Sequence, residues 1–460
     1  MGKITVLRNI SILILCNLIT FSAPAQNADS LTCRKIFDEV MLHSDAYDNL
    51  HYLCKNIGHR LAGSPQADMA VRWAYQLMQQ YDFDSVWLQE VMVPHWERGP
   101  KEYGEILGLD QINILALGGS VATPLDGITE NVIEVSDFDE LKALGAEKIK
   151  GKIVFYNHIF PQNVINSFEG YGEAGPYRWT GANVASKLGA KAVIIRSVGS
   201  AYDDFPHTGS THFDDDVKKI PCAALSPIDA DRLHDALEKD PSQKFKMIMG
   251  CKMMDSVKSY NVIAEIRGSE LPNEIIVVGG HFDSWDVGEG AHDDGTGVVQ
   301  SLEVIRCLHA LGIQPKRTIR CVFFMNEENG NMGGKTYGKY VMNNKTEKHI
   351  AAIESDAGGF SPRGFSMPEA FMQHPQFDSL KALLYPYGSY LMIEGHGGTD
   401  IGPMEDAGTM LIGLIPDSQR YMDIHHTDND VFEHVNRREL HLGAATMAML
   451  AWWISEYGVQ

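Results

Sequence analysis

Beyond its first 25 residues, the 460-residue chain has no apolar run long enough to cross a bilayer. It has no C-x-x-C pair, which removes the common cysteine zinc spacings and the dithiol redox motif. It has no internal repeat and no low-complexity tract, so repeat architectures are excluded. Basic residues are scarce: 39 Lys and Arg stand against 60 Asp and Glu, for a net charge of −21. Such a chain is repelled by nucleic-acid phosphates and by anionic lipid, which argues against both as main partners. What remains is an ordinary globular composition, 44% hydrophobic and 22% charged. The length suits one large domain plus a smaller one.

The N-terminus reads as an export signal spanning residues 1–25. Lys3 and Arg8 supply a basic start, Ile10 to Leu18 an apolar stretch, and Ala23-Pro24-Ala25 a small-residue cleavage site. The apolar stretch is too short and interrupted to anchor a mature chain. Lipid attachment at Cys16 is the other ending, although the bulky Leu15 fits that site poorly. The protein is expected to be secreted, periplasmic or extracellular, with no membrane insertion after signal removal. Of the six mature cysteines, Cys307 and Cys321 fall in helix and strand patterns as buried thiols, and Cys222 with Cys251 is the pairing to test.

Helical patterns run from Ile36 to Leu53 and from Ala67 to Tyr81, with a loop at Gly58 to Gln66 and a strand at Ser85 to Pro94. From about Asn113 to Met254 short β-like runs mix with glycines, acids and one clear helix at Ala182 to Leu188, which predicts an inserted β-rich domain. Strand–helix alternation then strengthens. Glu274 to Gly280, Thr318 to Met325, Ile350 to Glu354 and Met410 to Ile415 read as buried strands, and Gly297 to Leu311 as the helix between the first two. The expected fold is α/β, with a mostly parallel central sheet flanked by helices.

The polar residues that follow these strands carry the chemistry. Ligands in open α/β sheets bind beyond the carboxyl ends of the strands. His281 follows the first strand, Glu327 and Glu328 the second, Asp356 the third, and His426 the connection after the fourth. Asp293 and Asp294 sit in the loop after His281. Singly, each is an ordinary loop residue, and Asp294 is a candidate helix cap. Together, so many acids would repel one another unless a cation sat among them. Mixed imidazole and carboxylate ligands suit zinc, and to a lesser degree cobalt or manganese. Five candidate ligands exceed the three that one catalytic zinc needs and suit a pair with one bridging carboxylate. Glu327 adjoins a ligand and is the natural general base. Asp283 is placed to hold the other N–H of the His281 imidazole.

At these residues the chain resembles the zinc exopeptidases of the aminopeptidase, glutamate carboxypeptidase and transferrin receptor group. The matching pieces are GGHFDSWDVGEGAHDDGTG (279–297), NEENGNMGG (326–334), ESDAGG (354–359), HHTDND (425–430) and GHRLAGSP (58–65). ALGGSVATPLDGIT (116–129) is most similar to the branch that includes plasma glutamate carboxypeptidase. The resemblance implies a zinc exopeptidase fold over 26–115 and 256–460, with a protease-associated insert over 116–255. It implies that His281 and Asp356 bind one zinc, that Glu328 and His426 bind the other, and that Asp293 bridges. It makes Glu327 the base and Asp283 the support of His281. It selects His426 over His425, with Asp430 as the later acid, and it implies a cis peptide at Asp293–Asp294. Short peptides are the expected substrates and a homodimer the suggested assembly. Thr399-Asp400-Ile401 and Asp430-Val431 depart from the group's pattern near substrate-facing loops. Asp400 is a candidate for a substrate amine, or an acid fixing its own loop. An aminopeptidase or dipeptidase, a carboxypeptidase, a one-zinc glutaminyl cyclase and an inactive receptor-like protein are the competing readings, and the intact ligands and Glu327 argue against the last.

Overall fold

The structure is a computed structural model that describes residues 28–460, so the export signal and Cys16 lie outside the described residues. Two eight-stranded sheets organise the chain. The first orders its strands as Ser85–Glu97, Lys252–Ile266, Arg317–Phe324, Leu271–His281, Lys348–Glu354, Met410–Pro416, Pro362–Met367 and Leu391–Glu394. Its four central strands run parallel. Antiparallel pairings join the flanking strands on both sides, and the edge pair Pro362–Met367 with Leu391–Glu394 is parallel.

The continuous apolar runs follow from burial on both faces. Ile276 and Val278 point into one core with Ile319, Cys321 and Phe323, beneath the helices Thr296–Ala310 and Arg437–Tyr457. The alternate residues Ile275, Val277, Val322 and Phe324 join a second core with Tyr337 of the helix Met332–Asn343. Because side chains alternate across a strand, a one-residue slip would exchange the two cores. The predicted first helix is two, Ala28–His43 and Ala46–Tyr52, with Ser44 and Asp45 between them. Among the described residues no helix is long and apolar enough to cross a membrane.

The second sheet takes its strands from Tyr103 to Ile248, so it begins earlier than the sequence boundary at 116. It is also less purely β than expected. Four helices accompany it: Phe138–Ile149, Ser167–Trp179, Gly181–Lys187 and Pro227–Lys239. The second of these contains Gly170, Gly172, Gly175 and Pro176, residues that lower helix propensity and hid it from a periodicity reading. All six described cysteines are free and buried. The Cys222–Cys251 pairing is therefore corrected: Cys222 belongs to the core on one face of this sheet and Cys251 to the core on the other.

Candidate active site

His281 is the last residue of its strand, Glu327, Glu328 and Asp356 lie just past theirs, and Asp293 and His426 sit in the connections that follow the strands ending at His281 and Pro416. Two imidazoles organise the centre. His281 Nδ1 faces the Asp283 carbonyl at 2.9 Å, which fixes that nitrogen as the donor. Its Nε2 lies 3.0 Å from Asp293 Oδ1 and 3.5 Å from Asp356 Oδ1. His426 repeats the arrangement. Nδ1 lies 3.3 Å from the Thr208 carbonyl, and Nε2 lies 3.1 Å from both Asp293 Oδ2 and Glu328 Oε2. In each ring Nε2 thus meets carboxylate oxygens, a position that a proton on the ring or a cation between the atoms would satisfy. Asp293 offers one oxygen to each ring.

This arrangement also fits cations placed between the facing atoms. Ligand atoms held about 2.0–2.1 Å from one tetrahedral zinc stand about 3.3 Å apart, and the observed edges of 3.0–3.5 Å bracket that spacing. Among the described residues, three overlapping groups have geometry able to hold an ion: His281, Asp293 and Glu328; Asp293, His425 and His426; and His281, Asp294 and Asp356. Asp294 is drawn away from that task, because its two oxygens accept from the His281 and Gly297 backbone N–H groups at 3.1 and 3.0 Å. His425 stacks on His426 at 3.5 Å and its Nε2 lies 3.5 Å from Asp293, but no contact joins it to Glu328. The Asp293–Asp294 peptide is cis.

The supporting groups differ from expectation in one respect. The Asp283 carboxylate stands 4.0 Å from His281 Nδ1, and it is the Asp283 backbone carbonyl that holds the ring. The carboxylate instead accepts from the backbone N–H groups of Asn326 and Glu327 at 2.6 and 3.0 Å. One residue therefore fixes both the first imidazole and the segment that carries Glu327. Asp430 accepts from the N–H groups of His292 and Asp293 at 2.8 and 3.1 Å, holding the bridging segment from behind. His426 and Asn326 adopt positive φ, a costly conformation for residues other than glycine.

Burial pushes the Glu327 carboxyl well above the usual range; Asp356, Glu328 and Asp293 reinforce the shift and His281 opposes it. Burial also raises Glu328 to about 7, against the pull of His426. His426 rises to about 9, since Glu328 and Asp293 outweigh its desolvation. The carboxylates of this rim hold negative charge only against a compensating positive charge, as the sequence implied.

A cleft of about 570 Å³ opens over these groups, lined on one side by His281, Asp293, Glu327, Glu328, Asp356 and His426. Asp400 does not reach it. That carboxyl is fully buried, neither oxygen has a hydrogen-bond partner, and Gly398 and Thr399 form the wall in front of it. Burial and the neighbouring Glu354 push Asp400 well up. The substrate-amine role and the loop-fixing role expected for it both lack a contact here.

Sequence reasoning missed the opposite wall. Phe168, Tyr171, Arg178 and Trp179 come from the glycine-bearing helix Ser167–Trp179, and Ser210 and His212 from the loop beyond. No motif marks them. It also passed over Arg60, although GHRLAGSP was singled out. Arg60 is fully buried and donates to the carbonyls of Phe282, Glu289 and Gly290 at 2.7–3.0 Å, binding together the loop between His281 and Asp293.

Residues 261–451 match Peptidase family M28. Human carboxypeptidase Q is 35% identical over 413 residues, covering 89% of this chain and 85% of its own length. The crystal structure of a peptidase M28 precursor from Shewanella amazonensis superposes with a TM-score of 0.88 at 33% identity, covering 93% of this chain and 96% of that one. A zinc aminopeptidase from Bacillus subtilis shares the fold, with a TM-score of 0.64 at 21% identity over 88% of this chain and 93% of its own. Similar to its relatives across most of its length, with the rim residues gathered at one cleft, the chain belongs to peptidase family M28.

Proposed function

We propose that this protein is an exported, two-zinc exopeptidase that hydrolyses short peptides. The observation that carries the reading is the pair of imidazole Nε2 atoms turned onto the two oxygens of one shared carboxylate, Asp293. His281 and Asp356 would hold one ion, Glu328 and His426 the other, and Asp293 would bridge. Bound zinc supplies Lewis acidity toward the scissile carbonyl and lowers the pKa of water. The chain's own residues do the rest. Glu327, whose side chain has no hydrogen-bond or ion-pair partner among the described residues, accepts a proton from the attacking water and delivers it to the leaving amine. Asp283 keeps Glu327 in place through its backbone N–H. The wall from the second sheet, read as a protease-associated layer, narrows the approach so that short peptides enter and folded proteins do not.

Two measurements test the proposal. Elemental analysis of purified, zinc-saturated protein is expected to approach two metals per chain. Saturation at one would remove the paired site and favour the cyclase reading, which conversion of N-terminal glutamine peptides would then reveal. Blocked substrates identify the terminus. Acetylation of the N-terminus of a good dipeptide is expected to abolish cleavage. Undiminished cleavage of the acetylated peptide, with loss on C-terminal amidation, would make the enzyme a carboxypeptidase, the second reading favoured by its carboxypeptidase Q relative.

A further inference from the structure

The two proposed metal sites are held by different parts of the molecule. His281 is fixed by its own loop: Nδ1 donates to the Asp283 carbonyl at 2.9 Å, and the backbone N–H donates to Asp294 Oδ2 at 3.1 Å. Among the described residues no hydrogen bond runs from the second sheet and its connections, residues 103–248, to His281 or Asp356. The other site is built differently. Residues 207–210, a loop of the second sheet's layer, reach both of its non-bridging ligands. The Thr208 carbonyl faces His426 Nδ1 at 3.3 Å, and the Thr208 N–H donates to the His426 carbonyl at 2.9 Å. His207 Nδ1 donates to the His425 carbonyl at 2.7 Å, and Ser210 Oγ to the Glu328 carbonyl at 2.6 Å. Arg178, from the same layer, has Nη1 3.4 Å from the Thr208 carbonyl and 3.3 Å from His426 Nδ1.

The grip matters because of the backbone it holds. His426 has a φ of +63°, a conformation that a residue other than glycine keeps only where its surroundings impose it. His207 and Thr208 fix the carbonyls of the two peptide groups that flank the His426 Cα. The loop is itself pinned to its own sheet. Thr208 Oγ1 donates to the Ala116 carbonyl at 2.8 Å, Gly118 N–H donates to the Gly209 carbonyl at 2.9 Å, and Thr211 N–H donates to the Gly118 carbonyl at 2.8 Å. His207 is fully buried and its N–H donates to Ser197 Oγ at 2.8 Å. Gly199 lies against its ring, where a Cβ would come within 2.3 Å of Cε1. The imidazole therefore has one orientation, and that orientation serves the His425 carbonyl.

We propose that the loop 207–210 controls the metal occupancy of the Glu328 and His426 site alone, with His207 as the positioning residue that holds His426 in its left-handed conformation. This rests on the two-zinc reading and deepens it: the first sheet builds one site by itself and shares the building of the other with the second sheet. Groups behind metal ligands orient them, and losing one typically costs about 10- to 100-fold in metal affinity. Linkage makes the coupling reciprocal, so an ion between Glu328 and His426 also fastens the loop.

The test titrates zinc against a competing chelator in the metal-free parent, His207→Leu, His207→Asn and Ser210→Ala. The parent is expected to bind two ions. His207→Leu removes the donor and should weaken one site about 10- to 100-fold while the other keeps the parent affinity. His207→Asn keeps an N–H donor on a short side chain and should recover part of the loss. Ser210→Ala removes a single hydroxyl, should weaken the same site by less, and carries the test if His207→Leu does not fold. Two backgrounds identify the site. His207→Leu should weaken the ion that remains in Asp356→Asn protein and leave untouched the ion that remains in Glu328→Gln protein. Hydrogen exchange reads the reciprocal effect: zinc should slow exchange of the Thr208 amide in the parent and not in Glu328→Gln. Equal weakening of both sites would give the loop a purely structural role and overturn the proposal. Parent affinity at both sites in His207→Leu and Ser210→Ala would overturn it too. A parent that saturates at one ion would end the two-zinc reading alone. The grip on His426 and Glu328 would then stand if the variants weaken that ion and fall if they do not.

Discussion

Glu327→Gln is expected to keep both metals and the fold while losing about 10²–10⁴-fold in kcat, the range of general-base catalysis. That loss equals roughly 3–5 kcal/mol of barrier at about 1.4 kcal/mol per tenfold. Among the described residues the Glu327 side chain has no hydrogen-bond partner to lose, and its backbone N–H stays on Asp283 Oδ1 at 3.0 Å. The amide therefore occupies the same place but cannot accept a proton. Glu328→Gln should behave differently. Glu328 Oε1 accepts from the Trp285 N–H at 3.2 Å and Oε2 faces His426 Nε2 at 3.1 Å. An amide there removes the negative charge from the ligand set, so metal occupancy should fall. Metal content and kcat measured for both variants side by side decide the matter. Metal loss in Glu327→Gln with retention in Glu328→Gln would exchange the two roles. A Glu327→Gln rate within about twofold of the parent lies far outside the general-base range and would refute the mechanism.

The second large effect is on stability. Arg60→Met should cost about 3–5 kcal/mol, the range for breaking a buried charged partnership. The carbonyls of Phe282, Glu289 and Gly290 would each lose a charged donor, and an unsatisfied buried group costs about 1–3 kcal/mol. Partial relaxation of the loop keeps the total below the simple sum. The same loop leads from Asp283 to Asp293, so zinc affinity should weaken with stability. Arg60→Lys offers fewer donors in a less fitting geometry and should lie between the two. Urea unfolding of the metal-free proteins measures the first effect as a lower midpoint at unchanged slope. A midpoint equal to the parent's would show that Arg60 does not hold the loop.

The central sheet was legible because its pattern is local. Ile275 to Val278 are apolar without a break since both faces are covered, and the polar residue ending that run is His281. The rim acids were legible for the same reason: each follows a strand whose end the pattern marks. The helix Ser167–Trp179 was not, because its glycines and Pro176 weaken the helical signal that its tertiary contacts restore. Nor was the exchange of roles within Asp283, where a carbonyl holds the imidazole and a carboxylate holds the Glu327 segment; both readings place an acid two residues after a histidine. Arg60 and Arg178 were illegible because their meaning depends on what faces them. Arg60 meets residues 222 to 230 positions away in sequence, and Arg178 meets His426 from 248 positions away.

The segment that ends in His426 is gripped from the other sheet. Phe360, Tyr421, Met422 and Ile424 sit inside a core otherwise built by residues 117–224. Hydrogen-bond contacts add to the grip: Thr208 N–H donates to the His426 carbonyl at 2.9 Å, the His207 side-chain Nδ1 contacts the His425 carbonyl at 2.7 Å, and Ser210 Oγ ties the neighbouring Glu328 segment by donating to its carbonyl at 2.6 Å. The second sheet is thus not an interchangeable module. Excising it would bare an apolar face and leave the loop bearing His426 without its mould, so truncation would yield an aggregating remnant rather than a minimal enzyme. Grafting the layer from a distant relative would demand that residues 421–426 be transplanted with it, because recombination breakpoints drawn at the sheet boundary would cut through a shared interior.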